Sequence, residues 1–287
     1  MQAIHNTLVV MDPQQPVELT LAKARQIADI THSHLHLLVC AKTNGHSHAL
    51  HAVQEGLTQE GYEVSAEQAW HDNACKTILA VQQAEGCALV IKQQHKDNPL
   101  KKSLLTPEDW QLLRQSSCPV LMAKSTSPWM GGTILTAIDA GSDDVEHRLL
   151  QVGILSHGHD LAMRTNASLH MMSAHPYPML SARDPIFQLK EEIQAFYHEQ
   201  CKAYQDEFEI SDEYLHIEEG PAEVLIPGIA HRLGAALTIL GSVGRSGLSG
   251  ALLGNTAETV LDALESDVLV LKPSDVIHDL EELTTRH

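Results

Sequence analysis

The sequence predicts an α/β protein of two tandem domains, each a five-stranded, mainly parallel sheet with helices on both faces. Three observations support this prediction: apolar, β-branched segments alternate with helical segments, the pattern occurs twice in 287 residues, and the two halves align with each other. Strands and helices that alternate with short connections form a parallel sheet covered on both faces, with right-handed crossovers. Two domains are also the expected number at this length.

Ten segments, five in each half, have the composition of β-strands. In the first half they are Thr7–Met11, His34–Cys40, Tyr62–Trp70, Ala88–Lys92 and Val120–Lys124. In the second half they are Thr133–Ile138, Ser168–Ser173, Tyr214–Glu218, Ala236–Leu240 and Val268–Lys272.

The two halves are related by duplication. A shift of 148 residues places Ala222 on Ala74 and Val268 on Val120, whereas the first strands align at a shift of 127. The second half therefore has 21 additional residues between its first strand and its third helix. We expect them in the proline-rich segment His175–Pro185, ahead of a helical run from Ile186. A repeat of domain size indicates a duplication and excludes a solenoid.

These alignments predict the domain boundaries. Residues 1–125 form the first domain, 126–131 a linker rich in turn residues, 132–275 the second domain, and 276–287 a tail. We expect the domains to pack as an intramolecular pair through their last strands, because an unpaired edge strand is usually covered. Further dimerisation and the identity of a protein partner are left open.

Composition excludes several classes of partner. A net charge of -18 argues against general affinity for nucleic acid or anionic membrane, since both require clustered basic residues. No run of about 18 apolar residues predicts a membrane span, and the amino terminus lacks the pattern of a signal peptide. Five cysteines without close pairing fit a reducing cytoplasm.

The segment Gly241–Thr256 has the character of a phosphate-binding loop. Gly241, Gly244 and Gly254 lie between a predicted strand and a helix with an apolar stripe. Free N–H groups at the start of such a helix face an anion, and glycines allow the backbone to approach it closely. Asp139, which follows the first strand of the same half, is expected to border the same crevice.

These features resemble a known family. In the second half, Asp139 follows the first strand, the pattern Gly241-x2-Gly244-x9-Gly254 follows the fourth, and Val268–Pro273 closes the domain. With these features the second half resembles the universal stress protein family. The resemblance covers the whole chain as a tandem pair. Leu104–Arg114 and Cys118–Lys124 of the first half are similar to the tandem E-type form found in enteric and related bacteria.

The resemblance implies a cytoplasmic stress-response role and a small-molecule ligand, ATP or another adenine nucleotide, in the second domain only. In ATP-binding members the aspartate meets the adenine and ribose, and the glycine loop holds the phosphates. Arg245 could pair with a phosphate. Asn255 stands where the family has serine or threonine, and Thr256 follows it. No metal is expected.

The first half departs from the family pattern at the loop. The 148-residue shift aligns Gly241, Gly244, Gly254 and Asn255 with Gln93, Lys96, Thr106 and Pro107. Proline has no N–H to donate, so the backbone cradle is lost. Lys92, Lys96, Lys101 and Lys102 could still attract an anion electrostatically. We expect no ATP in this domain, which is predicted to be a structural or regulatory copy.

Simpler interpretations remain open beside these. The glycine segment also fits a surface loop that leads into a helix, and Asp12 and Asp139 fit turn or cap positions. Two histidine groups, one of His46, His48 and His51 and one of His157, His159 and Asp160, are expected to be solvated surface and not metal sites.

No catalytic residue can be assigned from the sequence. Cys40 and Cys118 are expected to be buried, inert thiols. The predicted mechanism is a conformational or partner-binding switch, with a weak ATPase as an open alternative. A second alternative is a binding or scaffold protein for an amphipathic metabolite, in a cleft lined by the inserted segment. Met171, Met172 and the aromatic residues of Ile186–Phe208 are expected mainly in the core.

Overall fold

The fold was obtained as a computed structural model, which describes residues 4–43, 45–94, 106–242 and 255–276. For residues 255–258 it describes the backbone only. The described chain divides into two compact units, one ending at Thr126 and the other beginning at Ser127. Within these ranges no helix combines the length and apolar character needed to cross a bilayer.

The first unit contains a parallel sheet of five strands in the order β3-β2-β1-β4-β5. The strands are β1 (Asn6–Met11), β2 (His34–Cys40), β3 (Val64–Ala69), β4 (Leu89–Gln93) and β5 (Val120–Ala123). In the central strand, Val9 lies between Leu37 and Ile91, and all three are fully buried. Such continuous burial explains why the central strand β1 is mainly apolar, whereas the edge strand β3 is half-buried and carries polar residues.

The second unit contains an equivalent parallel sheet in the order β10-β9-β6-β7-β8. Its strands are β6 (Thr133–Ile138), β7 (Ser168–His175), β8 (Leu215–Glu219), β9 (Leu237–Gly241) and β10 (Asp267–Leu271). The predicted α/β fold class, with five parallel strands in each half, is therefore confirmed.

The helices are α1 (Glu18–Thr31), α2 (Ser47–Gln59), α3 (Ala74–Ala84), α4 (Pro107–Gln115), α5 (Val145–Thr165), α6 (Lys190–Phe208), α7 (Ala222–Leu233) and α8 (Asn255–Ala263). Side-chain caps begin several of them: Asn73 accepts the Lys76 N–H at α3, and Asp144 accepts the His147 N–H at α5. In each unit, right-handed crossovers place the first two helices on one face and the last two on the other. Consistently, α3 packs on α4, α5 on α6 and α7 on α8.

The extra residues of the second unit are distributed over several elements. Helix α5 has 21 residues against 14 in α1, and α6 has 19 against 13 in α2. A longer connection also precedes α6, with a 3-10 turn at Pro185–Gln188. The expectation that the whole addition lies in His175–Pro185 was therefore wrong. Neither of the two longer helices contains a proline that would mark the change in the sequence.

The core contains only part of the residues that the sequence assigns to it: Tyr197 and Phe208 of α6 are buried, whereas Phe187 and Phe196 are half-buried. Met171 and Met172 are both buried in β7, as expected. Trp129, in the predicted linker, is 1% exposed and belongs to the second unit, where its indole N–H donates to Asp267 Oδ2 at 2.8 Å. This anchor ties the chain entering β6 to the start of β10.

Candidate functional site

Asp139 and Gly241 lie side by side at the carboxyl edge of the second unit's sheet. Strands β6 and β9 are parallel neighbours, with Ala137 opposite Leu240. Helix α5 leaves β6 towards one face and α8 follows β9 on the other, so a crevice opens between these strand ends. Three further predicted site residues, Gly244, Arg245 and Gly254, lie outside the described residues.

Helix α8 begins at Asn255, directly followed by Thr256, as the loop pattern predicts. The N–H groups of a helix's first turn have no partner inside the helix, and the helix dipole gives that end a partial positive charge. The side chains of Asn255 and Thr256 are outside the described part of the structure. The start of a helix therefore follows β9, and its N–H groups can bind an anion.

The carboxylate of Asp139 is exposed and forms no hydrogen bond with any residue that the structure describes. Its backbone oxygen accepts the Ser142 N–H at 3.1 Å. Asp12, at the matching position of the first unit, differs because its Oδ1 accepts the Gln14 N–H at 2.8 Å. Asp12 thus has the turn role considered from the sequence, whereas the Asp139 carboxylate is open to a ligand.

Gly241 is required by packing. A Cβ atom at this position would lie 2.4 Å from Leu150 Cδ2 and 3.1 Å from Ile154 Cδ1, both on α5. A larger residue would therefore push α5 away from the end of β9. This close approach explains the glycine by itself and also leaves the strand end without a side chain.

Two residues that the sequence did not indicate hold the Asp139 turn. Gln151 on α5 donates its Nε2–H to the Asp139 backbone oxygen at 2.5 Å, and Tyr204 on α6 donates its hydroxyl to Gln151 Oε1 at 2.9 Å. These partners come from separate helices, and no spacing in the sequence relates them. The longer α6 of the second unit therefore supports the candidate site.

Tyr197, also on α6, lies beside the same turn. It is 5% exposed, and a Cβ atom at Gly141 would lie only 2.2 Å from its hydroxyl oxygen. Burial, reinforced by the negative charge of Asp139, raises the pKa of Tyr197 to about 12. The hydroxyl consequently stays protonated at neutral pH and can donate a hydrogen bond near Asp139.

The corresponding crevice of the first unit is filled by Gln93. Its Nε2–H donates to Gln15 Oε1 at 2.9 Å, and its Oε1 accepts the Thr20 hydroxyl at 3.1 Å. The side chain thus joins the segment after β1 to α1 across the end of β4. Gly241 has no side chain that could make such a bridge.

The amino terminus of α4 in the first unit is occupied by the helix's own carboxylate. Asp109 is fully buried, and its Oδ2 accepts the Thr106 N–H at 2.9 Å, while the Thr106 hydroxyl accepts the Asp109 N–H. Lys92 Nζ lies 2.5 Å from Asp109 Oδ1. The expectation that Lys92 attracts an external anion was therefore wrong, because Asp109 already neutralises it. Lys96, Lys101 and Lys102 lie outside the described residues.

The histidine groups considered from the sequence differ from each other. His48 and His51 are exposed, as expected. His157 was expected at the surface but is buried, because α5 turns that side towards the sheet. Its Nδ1 lies 2.8 Å from the Gly153 oxygen, and burial lowers its pKa to about 4.

Of the two thiols expected to be buried, Cys118 is buried and Cys40 is half-buried. Burial raises the pKa of Cys40 to about 12, and Cys118 is buried. A thiol with so high a pKa stays protonated and is a poor nucleophile. All five cysteines are free of disulfides.

The segment between β7 and α6 presents apolar side chains to solvent. Tyr177 and Met179 are each 60% exposed and Leu180 is 84% exposed. Behind them Phe187 and Phe196 pack edge to face, with ring centroids 6.1 Å apart. This surface lies in the inserted region that the sequence associates with an amphipathic ligand.

Comparison with known proteins agrees with this architecture. A protein of unknown function from Pseudomonas aeruginosa, solved by crystallography, is 56% identical, has a TM-score of 0.86 and covers 100% of this chain and 99% of its own. A universal stress protein from Archaeoglobus fulgidus shares the fold, with a TM-score of 0.70 at 16% identity over 94% of this chain and 99% of its own.

Relatives of known name are similar over most of their length. Universal stress protein E of Escherichia coli is 32% identical over 234 residues, which cover 78% of this chain and 73% of the relative. The Haemophilus influenzae homologue of that protein is 32% identical over 84% of this chain and 79% of its own. The model of the Universal stress protein family matches residues 4–124 and again residues 130–272. The chain therefore belongs to the universal stress protein family and carries two of its domains in tandem.

Proposed function

We propose that the second unit binds ATP or another adenine nucleotide in the crevice between β6 and β9, and that occupancy acts as a switch in a cytoplasmic stress response. Asp139 would contact the adenine and ribose end. The phosphates would lie on the loop that begins at Gly241, with Gly244, Arg245, Gly254, Asn255 and Thr256 around them. The free cysteines are in keeping with a reducing compartment.

The contrast between the two crevices is the observation that supports this proposal. In the first unit Gln93 fills the strand ends, and Asp109 with Lys92 occupies the start of α4. In the second unit Gly241 has no side chain at the equivalent position, where Leu150 and Ile154 of α5 approach its backbone, and the Asp139 carboxylate is exposed. A phosphate at the start of α4 would meet the buried Asp109 carboxylate, whereas the second unit has alanine, Ala257, at the position that matches Asp109.

A second candidate is suggested by the inserted segment. Its exposed Tyr177, Met179 and Leu180 could hold the apolar part of an amphipathic metabolite. A third candidate function is slow hydrolysis of ATP in the crevice between β6 and β9. Within the described residues we identify no group placed to activate a water for it.

The test compares two aspartates at matching positions, Asp139→Ala and Asp12→Ala, by titration of the full chain with ATP. We expect wild-type protein to bind one equivalent of ATP. Asp139→Ala should bind ATP about 10-fold to 100-fold more weakly, as for a lost charged hydrogen bond. The ATP affinity of Asp12→Ala should be unchanged. Circular dichroism checks that both variants fold. Equal affinity in all three proteins would refute the assignment of Asp139.

Native mass spectrometry of freshly purified protein separates the candidates. A retained adenine nucleotide that is lost in Gly244→Asp supports the proposal. A heavier apolar adduct that is lost in Leu180→Asp would support the amphipathic ligand instead. Phosphate release that stops in Asp139→Ala would indicate the ATPase.

A further inference from the structure

A polar cluster lies on the face of the first unit's sheet that α3 covers. His34 and His36 alternate on β2 and so point to the same face, as do Ser65 and Glu67 on the neighbouring edge strand β3. Glu85 follows the last residue of α3. We refer to these five residues as the His36 cluster.

His36 is the centre of this cluster. Its side chain is 7% exposed, with Nε2 3.2 Å from Glu67 Oε1 and Nδ1 3.9 Å from Glu85 Oε2. One ligand atom from each of these three residues lies within 4.8 Å of the other two. His34 Nε2 and His36 Nδ1 each lie 2.7 Å from Ser65 Oγ, so both histidines reach the same point.

The cluster carries an excess of negative charge. Among the described residues, neither Glu67 nor Glu85 forms an ion pair with a lysine or an arginine; His36 is their shared partner. One imidazole balances at most one of two carboxylate charges. Both carboxylates are partly exposed, Glu67 at 41% and Glu85 at 48% of the side chain, and both approach the largely buried ring of His36. A divalent cation would compensate the remaining charge.

We propose that the His36 cluster binds a divalent transition metal of the Zn²⁺ class through His36 Nδ1, His34 Nε2 and the Glu85 carboxylate. Imidazole nitrogen and carboxylate oxygen are ordinary zinc ligands. Glu67 accepts the Nε2–H of His36, which leaves the lone pair of Nδ1 for the metal. A carboxylate behind a metal-binding histidine is the usual way of orienting the ring.

Binding requires a modest local rearrangement. Zinc ligands lie about 2.0–2.2 Å from the ion, so Glu85 must move inward and Ser65 must release its bonds to the two nitrogens. The Glu85 side chain is 48% exposed and free to rotate. The ion would join β2 to the end of α3, with Glu67 of β3 behind His36.

The second unit provides a comparison. His170, the third residue of β7, occupies the place that His36 has in β2, and its Nδ1 lies 3.0 Å from His216 Nε2. In the described part of the chain, the His36 cluster is the one place where three ligand groups converge. The duplication therefore leads us to expect a single tight site, in the first unit.

The test is calorimetric titration of the chelator-stripped full chain with ZnCl₂, repeated with CoCl₂ and read by absorption. We expect one tight site above the weak background of the other histidines. His36→Asn and Glu85→Gln should each weaken it at least 100-fold, and Glu67→Gln about 10-fold to 100-fold, as for other partners behind a metal ligand. His231→Asn removes an exposed histidine paired with Glu265 at 3.3 Å and should change nothing.

Thermal unfolding keeps the test decisive if His36→Asn fails to fold. Glu85 is half exposed, so Glu85→Gln should fold normally, and Zn²⁺ should raise the Tm of wild-type protein but not of this variant. Equal zinc affinity in wild type and Glu85→Gln, or a loss of affinity in His231→Asn, would overturn the proposal.

Discussion

At the scale of single residues, Asp109 shows how the first unit differs from the second. Its buried carboxylate accepts the Thr106 N–H and pairs with Lys92, so one side chain both caps α4 and neutralises a lysine. The corresponding positions of the second unit are Ala257 and Leu240, which carry no charge. The first unit therefore has an ion pair at two positions where the second unit has uncharged residues.

Replacing Asp109 by Asn should destabilise the first unit by about 3 kcal/mol, because Lys92 would lose the partner of a buried ion pair. Asparagine can still cap the helix, so the loss reports the charge. Urea denaturation measures it. Asp72→Asn, which breaks the exposed pair with Lys76, should cause little change. Similar midpoints for both variants would contradict this explanation.

At the scale of an element, α6 is positioned by its contact with the end of β6. Tyr197 covers Gly141, Tyr204 reaches Gln151, and Gln151 holds the Asp139 oxygen. A displacement of α6 would therefore be transmitted to the turn that presents the Asp139 carboxylate. The additional length of this helix is connected with the candidate site and not only with the core.

Gly141→Ala should destabilise the second unit by about 1–3 kcal/mol, the usual cost of overpacking. The added methyl group would lie 2.2 Å from the Tyr197 hydroxyl oxygen. In a Tyr197→Ala background the same change should cost much less. A double-mutant cycle by urea denaturation measures this coupling. An unchanged cost in that background would show that Tyr197 does not restrict position 141.

At the scale of the whole molecule, the two units should respond differently to acid. His157, His170 and His216 all lie in the second unit, and burial lowers the pKa of each, to about 4 for His157 and His170. In the unfolded chain histidines titrate near pH 6.5. Their contribution to stability is therefore complete above about pH 6.5 and is lost as the pH falls towards 4.

We expect the unfolding transition of the second unit to move to lower urea between pH 7.5 and pH 5. Trp129 is the single tryptophan of that unit, so a Trp70→Phe, Trp110→Phe variant reports on it by fluorescence. His170→Gln should reduce the shift, while His231→Gln, at an exposed position, should not. A shift that is the same in both histidine variants would exclude His170 as its source.

Much of the architecture could be predicted because it depends on local pattern. The predicted bounds of β2 and β6 matched the structure residue for residue, since strands that are buried on both faces are mainly apolar segments. Duplication then assigned corresponding elements in the two halves. The rule that ligands bind beyond the carboxyl ends of parallel strands predicted that Asp139 and Gly241 border one crevice.

The sequence by itself determined the fold class, the duplication and the loss of glycines from the first half, because these properties are periodic or directly comparable along the chain. Only the tertiary structure showed which side chains contact each other. It showed that Asp109 neutralises Lys92, that Tyr204 and Gln151 support Asp139, and that His36 faces two carboxylates from different elements. Such contacts join residues far apart in the chain, and their geometry depends on packing that no local spacing records.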